Sequence, residues 1–154
     1  FVEDQLIIDD EIELFSNVKG NKLSPSANKH LLVKKDETYV CDDFAHEQNL
    51  IIKENNKTVL IVGCAHKGII NILEHYYLNN KGNPSHVIGG FHLFNHSLGV
   101  YENPNVISEI GSYLLGTKAK FYTCHCTGIT AYEKLKQIMG DNVFYLPTGN
   151  EINI

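Results

Sequence analysis

The 154 residues include 13 lysines, no arginine and 18 acidic residues, which gives a net charge of −5 at pH 7. This balance argues against a nucleic-acid partner, whose binding surfaces carry clustered positive charge. A hydrophobic content of 43% and the length predict a single globular domain over residues 1–154. No apolar run approaches the roughly 20 residues of a membrane-spanning helix, so we expect no membrane span.

The first third of the chain predicts antiparallel strands. The segments QLIID and EIELFSNV are rich in apolar and β-branched residues. HLLVKKDETYVC predicts a hairpin that turns at Lys35-Asp36, and NLIIKENNKTVLIVG predicts a second one whose polar tip runs from Glu54 to Lys57. Together these segments predict a β-meander.

After Gly63 the apolar spacing becomes helical. Ile69, Leu73 and Tyr76 fall on one buried stripe. The later segments predict, in order, a strand in SHVIGGFHLF, a helix in NVISEIGSYLLGT, a strand in AKFYT, a helix in TGITAYEKLKQIMG and a strand in NVFYLPTG. Alternating β and α elements indicate a layered α/β fold with helices packed on a sheet.

Thiol and imidazole groups follow three of these strands. They occur in GCAH (Cys64, His66), in GGFH (His92) and in TCHCTG, where His125 lies between Cys124 and Cys126. Layered α/β folds place their sites where strands open into loops. Thiolate and imidazole are ligands for zinc and similar ions. The three clusters therefore predict a metal site, provided that their strands are neighbours.

Each cluster also has a simpler interpretation. Buried cysteines commonly act as small hydrophobic packing residues, and His92 also fits a core histidine. Strand alternation turns Cys124 and Cys126 away from His125, which favours structural roles for both. The remaining histidines at positions 30, 75, 86 and 96 lack a supporting pattern. DDFAHEQ gathers further candidate ligands, but an exposed charged turn explains it equally well.

The cysteine spacing does not match a secreted disulfide scaffold. No basic and apolar leader precedes the first strand, so we expect a cytoplasmic location and thiols that are free or bound to metal. A redox function of Cys124 and Cys126 is disfavoured, because cysteines two positions apart on a strand rarely reach disulfide geometry.

Read together and in order, DDFAHEQNLII, VLIVGCAHKGIINIL, HVIGGFHL and YTCHCTGITAYEKLKQIMG resemble the C-terminal half of a metallo-β-lactamase-superfamily protein. They are especially similar to the branch of metal-dependent hydrolases related to the dihydropterin-linked ribofuranosylaminobenzene phosphate synthase. GCxHxGIxN and HCTG are the most specific parts. The resemblance implies an αββα sandwich with a metal site at one edge of two facing sheets.

The resemblance also implies residue roles. Cys64 stands where the superfamily has a metal-bridging aspartate, and His66 and His125 complete the implied metal ligands. His92 fits a position that lines the same pocket, with a ligand or substrate-contacting role, and is the catalytic candidate. Asp43 or His46 stands where another histidine ligand usually lies. The implied cofactor is a divalent metal, zinc in the first place, with iron and manganese as alternatives.

The superfamily signature His-x-His-x-Asp-His is absent from the 154 residues. Since the chain begins with Phe1 rather than Met, we expect a fragment, or else a natural half that pairs with a separate partner. The metal site would then be incomplete, and we expect weak metal binding and little hydrolysis by this chain alone. An exposed apolar face would bind the missing half or a second copy of the chain.

The expected function of the complete protein is metal-dependent hydrolysis. Metal-activated water would attack a phosphoester, a thioester or a related bond of a small molecule. A non-catalytic binding or regulatory module that keeps the fold is the alternative, and the missing signature is its best support.

Overall fold

A seven-stranded mixed sheet dominates the computed structural model, which describes residues 3–80 and 82–154. The strands of this sheet and of two small hairpins are, in chain order, β1 (Gln5–Ile7), β2 (Ile12–Phe15), β3 (Leu32–Lys35), β4 (Thr38–Cys41), β5 (Asn49–Glu54), β6 (Lys57–Val62), β7 (His86–Gly89), β8 (Phe94–Asn95), β9 (Val100–Tyr101), β10 (Lys120–Thr123) and β11 (Val143–Tyr145). The large sheet has the order β1-β2-β5-β6-β7-β10-β11.

The antiparallel half of this sheet confirms most of the predicted meander. β1, β2, β5 and β6 pair antiparallel, and the turn between β5 and β6 uses Asn55 and Asn56, both with positive φ. Two successive positive φ angles suit the two-residue turn of a tight hairpin. The predicted hairpin of β3 and β4 is confirmed, with its turn at Asp36-Glu37. Its place in the meander was wrong, because among the described residues these two strands form a separate two-stranded sheet.

Three helices connect the parallel half of the sheet. They are α1 (Ile69–Asn79), α2 (Pro104–Gly116) and α3 (Ile129–Met139). Their apolar residues form one core with a row of fully buried strand residues that lie opposite one another, namely Ile51, Leu60, Val87, Phe121 and Val143. This confirms the layered α/β fold. Within residues 3–80 and 82–154, none of the helices has the length and apolar character needed to cross a bilayer.

The sheet face opposite to this row is apolar but incompletely covered. It carries a second row that crosses all seven strands in register, namely Leu6, Leu14, Leu50, Ile61, Ile88, Tyr122 and Phe144. We call this row the second face. Leu6 is 47% exposed and the other six are partly buried. Ile152 and Ile154, near the end of the chain, line a cleft over part of it.

Asn71, on the first turn of α1, joins two distant segments. Its side chain is buried, accepts from Lys22 N at 2.9 Å, and donates to Lys22 O at 3.0 Å and to Lys67 O at 2.6 Å. Gly20 leaves space for the amide, since a Cβ there would lie 2.7 Å from Asn71 Oδ1. The asparagine of GCxHxGIxN therefore ties the loop after β2 to the turn that carries His66.

Replacing Asn71 by Ala should lower the free energy of unfolding by about 1 to 3 kcal/mol, because the buried amide is lost and three partly buried backbone groups each lose a hydrogen bond. Urea denaturation followed by circular dichroism measures this. Asn79→Ala, on the exposed end of the same helix, is the control and should change stability by less than about 0.5 kcal/mol. Equal losses in the two variants would contradict the bridging role.

Candidate metal centre

The three strand ends predicted to carry the site meet at one cleft. β6, β7 and β10 are parallel neighbours, so their C-terminal ends lie at the same edge of the sheet. The cleft there has a volume of about 240 Å³. Its lining includes six thiol and imidazole residues, namely Cys64, His66, His92, His96, His125 and Cys126.

Cys64, His125 and Cys126 form the tightest group of candidate ligands. One potential ligand atom from each lies within 4.8 Å of those of the other two. The prediction that Cys126 points away from His125 was wrong. β10 ends at Thr123 and a 3₁₀ turn follows over His125–Thr127, so strand alternation no longer applies there.

Cys126 is held firmly in this position. Its side chain is buried and its Sγ donates to Cys64 O at 3.6 Å. Gly90 provides the space, because a Cβ at that position would lie 2.5 Å from Cys126 Sγ. Thr127 Oγ1 accepts from Phe91 N at 2.9 Å and so fixes the turn to the end of β7.

His66 is oriented from three sides. The Glu47 carboxylate accepts from His66 N at 2.7 Å and from Lys67 N at 3.0 Å, and the Phe44 ring stacks on the imidazole at 4.5 Å. Asn28 Nδ2 donates to His66 O at 2.6 Å, which leaves Asn28 Oδ1 as the acceptor 3.3 Å from His66 Nδ1. With the Asn28 amide in this orientation, a neutral His66 ring carries its proton on Nδ1 and its lone pair on Nε2, the arrangement of metal-binding histidines.

His92 lies beside His66, with ring centroids 4.1 Å apart. Its two ring nitrogens are buried and have no hydrogen-bond partner among the described residues. Burial, followed by the proximity of His66, lowers the pKa of His92 to about 4. The ring is therefore uncharged at neutral pH.

The backbone around the cleft is strained. Ala65, His92 and His125 have φ angles of 54°, 50° and 50°, in the left-handed region that non-glycine residues seldom adopt. Such residues cluster at functional sites, where the surrounding structure holds them in place. Each of the three lies directly beside or within one of the predicted clusters.

Charge in the cleft is concentrated on one sulfur. A hydrogen bond from Cys126, and then one with His66, lower the pKa of Cys64 to about 4. The same bond and burial raise the pKa of Cys126, because it keeps the proton. Burial lowers the pKa of His66, but Cys64 and Glu47 outweigh it and the net change is upward. A thiolate at Cys64 beside a thiol at Cys126 is the resulting state at neutral pH.

Several site residues had no signal in the sequence. His96, treated there as an ordinary residue, lines the cleft, with its ring 5.9 Å from that of His125 and 4.6 Å from that of Phe94. Asn28 supports His66 across 38 residues of sequence, a separation that leaves no local pattern to read. Glu47 lies in DDFAHEQ, which the sequence indicated as a source of ligands, but its bond to the backbone of His66 was not predicted.

Asp43 and His46 lie in the exposed turn before β5. Asp43 Oδ1 accepts from Ala45 N at 3.1 Å, and His46 Nδ1 lies 3.8 Å from Asp42 Oδ1. Neither is among the residues that line the cleft. Their assignment to an additional site stays a prediction, while Glu47 from the same segment contacts the turn of His66.

Comparison with known proteins identifies the fold. A crystal structure of a metal-dependent hydrolase of the β-lactamase superfamily superposes on this chain with a TM-score of 0.82, covering 100% of this chain and 57% of the other at 23% sequence identity. The chain has the β-lactamase-superfamily fold. This confirms the architecture that the sequence resemblance implied. No protein-family model matches the chain.

Two curated relatives come from Methanocaldococcus jannaschii. An uncharacterized protein is 35% identical over 120 residues, which is 78% of this chain and 41% of the relative. The 7,8-dihydropterin-6-methyl-4-(β-D-ribofuranosyl)-aminobenzene-5′-phosphate synthase is 33% identical over 94 residues, 60% of this chain and 30% of the enzyme. The matches thus span less than half the length of either relative.

Alkylation of the metal-free chain by iodoacetamide should distinguish the cysteines. With its lowered pKa, Cys64 is already a thiolate at pH 6, so its rate should stay nearly constant up to pH 8. Burial raises the pKa of Cys124, so its rate should climb roughly tenfold per pH unit over the same range. Mass spectrometry of the two peptides measures both rates, and a steep profile for Cys64 would show that it carries a proton.

Proposed function

We propose that this chain provides one side of the metal centre of a metal-dependent hydrolase that acts on a phosphoester, a thioester or a related bond of a small molecule. The main support is that thiol and imidazole groups from three strand ends lie together at one cleft. The superfamily of the structural neighbour supports it.

The donor groups in the cleft fit a divalent metal. Cys64, His66 and His125 would hold it, and the sulfur favours zinc over iron and manganese. His66 has the oriented ring and Cys64 the ionised sulfur that ligation needs. When bound, such an ion supplies Lewis-acid activation of water near neutral pH.

His92 would act on the substrate rather than on the metal. Its uncharged ring offers one donor and one acceptor, and neither nitrogen has a partner among the described residues. The neutral imidazole can therefore donate a hydrogen bond to the reacting group or accept one from it. The strained backbone at His92 fixes the direction of the ring.

The volume of the cleft is consistent with a substrate site that this chain shares with another protein segment. At about 240 Å³ it is smaller than the roughly 300 to 1,000 Å³ of complete ligand pockets. It accommodates the reacting end of a substrate and leaves the remainder uncovered. Another protein segment would enclose that remainder and contribute the further metal ligands of the missing signature.

The second face is where that segment would pack. Its in-register row of seven apolar residues matches the inner surface of a two-sheet sandwich. The partial coverage of the relatives and of the structural neighbour agrees with a larger functional unit. We propose the remaining half of the sandwich as the occupant, in a cytoplasmic protein.

Expressed alone, the chain should self-associate through the second face, because apolar surface of this extent is rarely left in water. Light scattering over a range of concentrations measures this. Ile61→Thr with Ile88→Thr should shift the chain towards monomer while keeping β-branched residues in the strands. Leu78→Ser, at a residue 85% exposed on α1, is the matched control and should leave association unchanged. A monomer at every concentration would contradict the proposal.

The full-length protein tests the function directly. We expect it to contain metal and to hydrolyse a nitrophenyl phosphodiester or a thioester. Cys64→Ser and His66→Ala should lose metal and activity together. His92→Ala should keep the metal and lose about 100-fold in kcat, the usual contribution of one hydrogen bond to the reacting group. The 154-residue chain alone should show little turnover.

Elemental analysis and steady-state kinetics provide the measurements, with Cys41→Ser on the exposed strand β4 as the control that keeps both properties. Unchanged metal stoichiometry in Cys64→Ser and His66→Ala would remove both residues from the ligand set. A metal-loaded full-length protein that hydrolyses none of these bonds would support the non-catalytic module instead.

A further inference from the structure

We propose that Cys126 is a metal ligand, so that Cys64, Cys126 and His125 give this chain by itself a three-ligand site for a thiophilic divalent ion. The inference takes the location of the metal from the proposed function, but it does not depend on hydrolysis. It differs from the ligand set that the sequence implied, in which Cys126 was a structural residue.

The distances suit ligation by small movements. With zinc–sulfur bonds of about 2.3 Å and zinc–nitrogen bonds of about 2.0 Å, two ligands of a tetrahedral ion lie roughly 3.5 to 3.8 Å apart. The ligand atoms of the three residues lie within 4.8 Å of one another. Side-chain rotation at half-buried Cys64 and exposed His125 can close this gap of about 1 Å, while Cys126 stays fixed.

The surroundings of Cys126 are unlike those of a packing cysteine. Its side chain is only 3% exposed, yet it lies outside the hydrophobic cluster that forms the core. Its sulfur donates to the carbonyl oxygen of Cys64 at 3.6 Å and lies within 4.8 Å of the Cys64 sulfur. The absence of a side chain at Gly90 makes room for this sulfur at the cleft. Burial against polar atoms is the environment expected of a ligand.

A ligand set of two sulfurs and one imidazole also restricts which metal ion can bind. Thiolates select zinc and related thiophilic ions over manganese, magnesium and calcium, which prefer oxygen ligands. Two cysteines and one histidine are a known ligand set of catalytic zinc, with the fourth position open to water or substrate. His66 is not one of these three residues but lines the same cleft, so it can take the fourth position that the proposed function gives it, and its replacement would leave the number of sulfur ligands unchanged.

Cobalt(II) titration of the 154-residue chain, reduced with a phosphine, tests the assignment. Cobalt replaces zinc in such sites, and each thiolate bond adds sulfur-to-cobalt charge-transfer absorption in the near ultraviolet. We expect a one-to-one complex with the intensity of two thiolates. Cys64→Ser and Cys126→Ser should each halve that intensity and weaken binding at least tenfold. Cys124→Ser is the matched control, two positions away and outside the group, and should match the wild type.

A second measurement needs no variant and so avoids any loss of folding. X-ray absorption at the zinc edge of the one-to-one zinc complex of the wild-type chain should show two sulfur neighbours at about 2.3 Å. Full charge-transfer intensity in Cys126→Ser, a one-thiolate cobalt spectrum in the wild type, or a single sulfur neighbour of zinc would each overturn the assignment.

The outcomes separate this inference from the proposed function. Two-thiolate spectra together with a full-length protein that hydrolyses nothing would uphold the ligand assignment and remove the hydrolase. A one-thiolate spectrum together with hydrolysis that depends on Cys64 would remove Cys126 from the ligands and uphold the hydrolase.

Discussion

The parallel pairing of β6, β7 and β10 is the constraint on which the site depends. It brings three chain segments, distant in sequence, to one edge of the sheet. Gly89 and Gly90 make the approach possible, since a Cβ at Gly89 would lie 2.0 Å from Val62 O and one at Gly90 would meet the sulfur of Cys126. The bond from Gly90 N to Gly63 O, 2.9 Å long, then joins the strand ends beyond the regular ladder. Side chains with bulk at these glycines would separate the clusters.

The sheet is tightly packed beneath the helices, whereas the backbone is strained just after the strands end. The fully buried row under the helices stabilises the sheet, and the residues that follow the strands adopt left-handed backbone angles at Ala65, His92 and His125. A packed core can hold such angles because the cost of each, on the order of 1 to 3 kcal/mol, is small beside the burial energy of the whole layer. The thiol and imidazole groups are thereby aimed into the cleft by backbone geometry, with Asn28 and Glu47 adding hydrogen bonds around His66.

The two faces of the sheet differ in what covers them. One face packs against the helices and makes the chain a folded unit. The second face carries apolar residues in register across every strand, a pattern that a solvent-facing sheet normally replaces with alternating polar residues. The proposed metal centre at the sheet edge would lie at the border between this chain and the segment proposed to cover that face. The segment that covers the second face would then complete the substrate pocket as well as the sandwich.

Local sequence determined the seven strands of the large sheet, the three long helices and the three clusters, because β-branched runs, helical apolar spacing and glycine-flanked cysteines and histidines are properties of neighbouring residues. The same reasoning failed for the direction of Cys126, which depends on β10 ending at Thr123 and a 3₁₀ turn beginning at His125. It also missed His96, which reaches the cleft from the β8–β9 hairpin. Only tertiary structure could decide these points, because each rests on contacts between segments that the sequence keeps apart. The types of ligand could be read from the sequence, whereas which sulfur lies beside which imidazole follows from how the strands are ordered in the sheet.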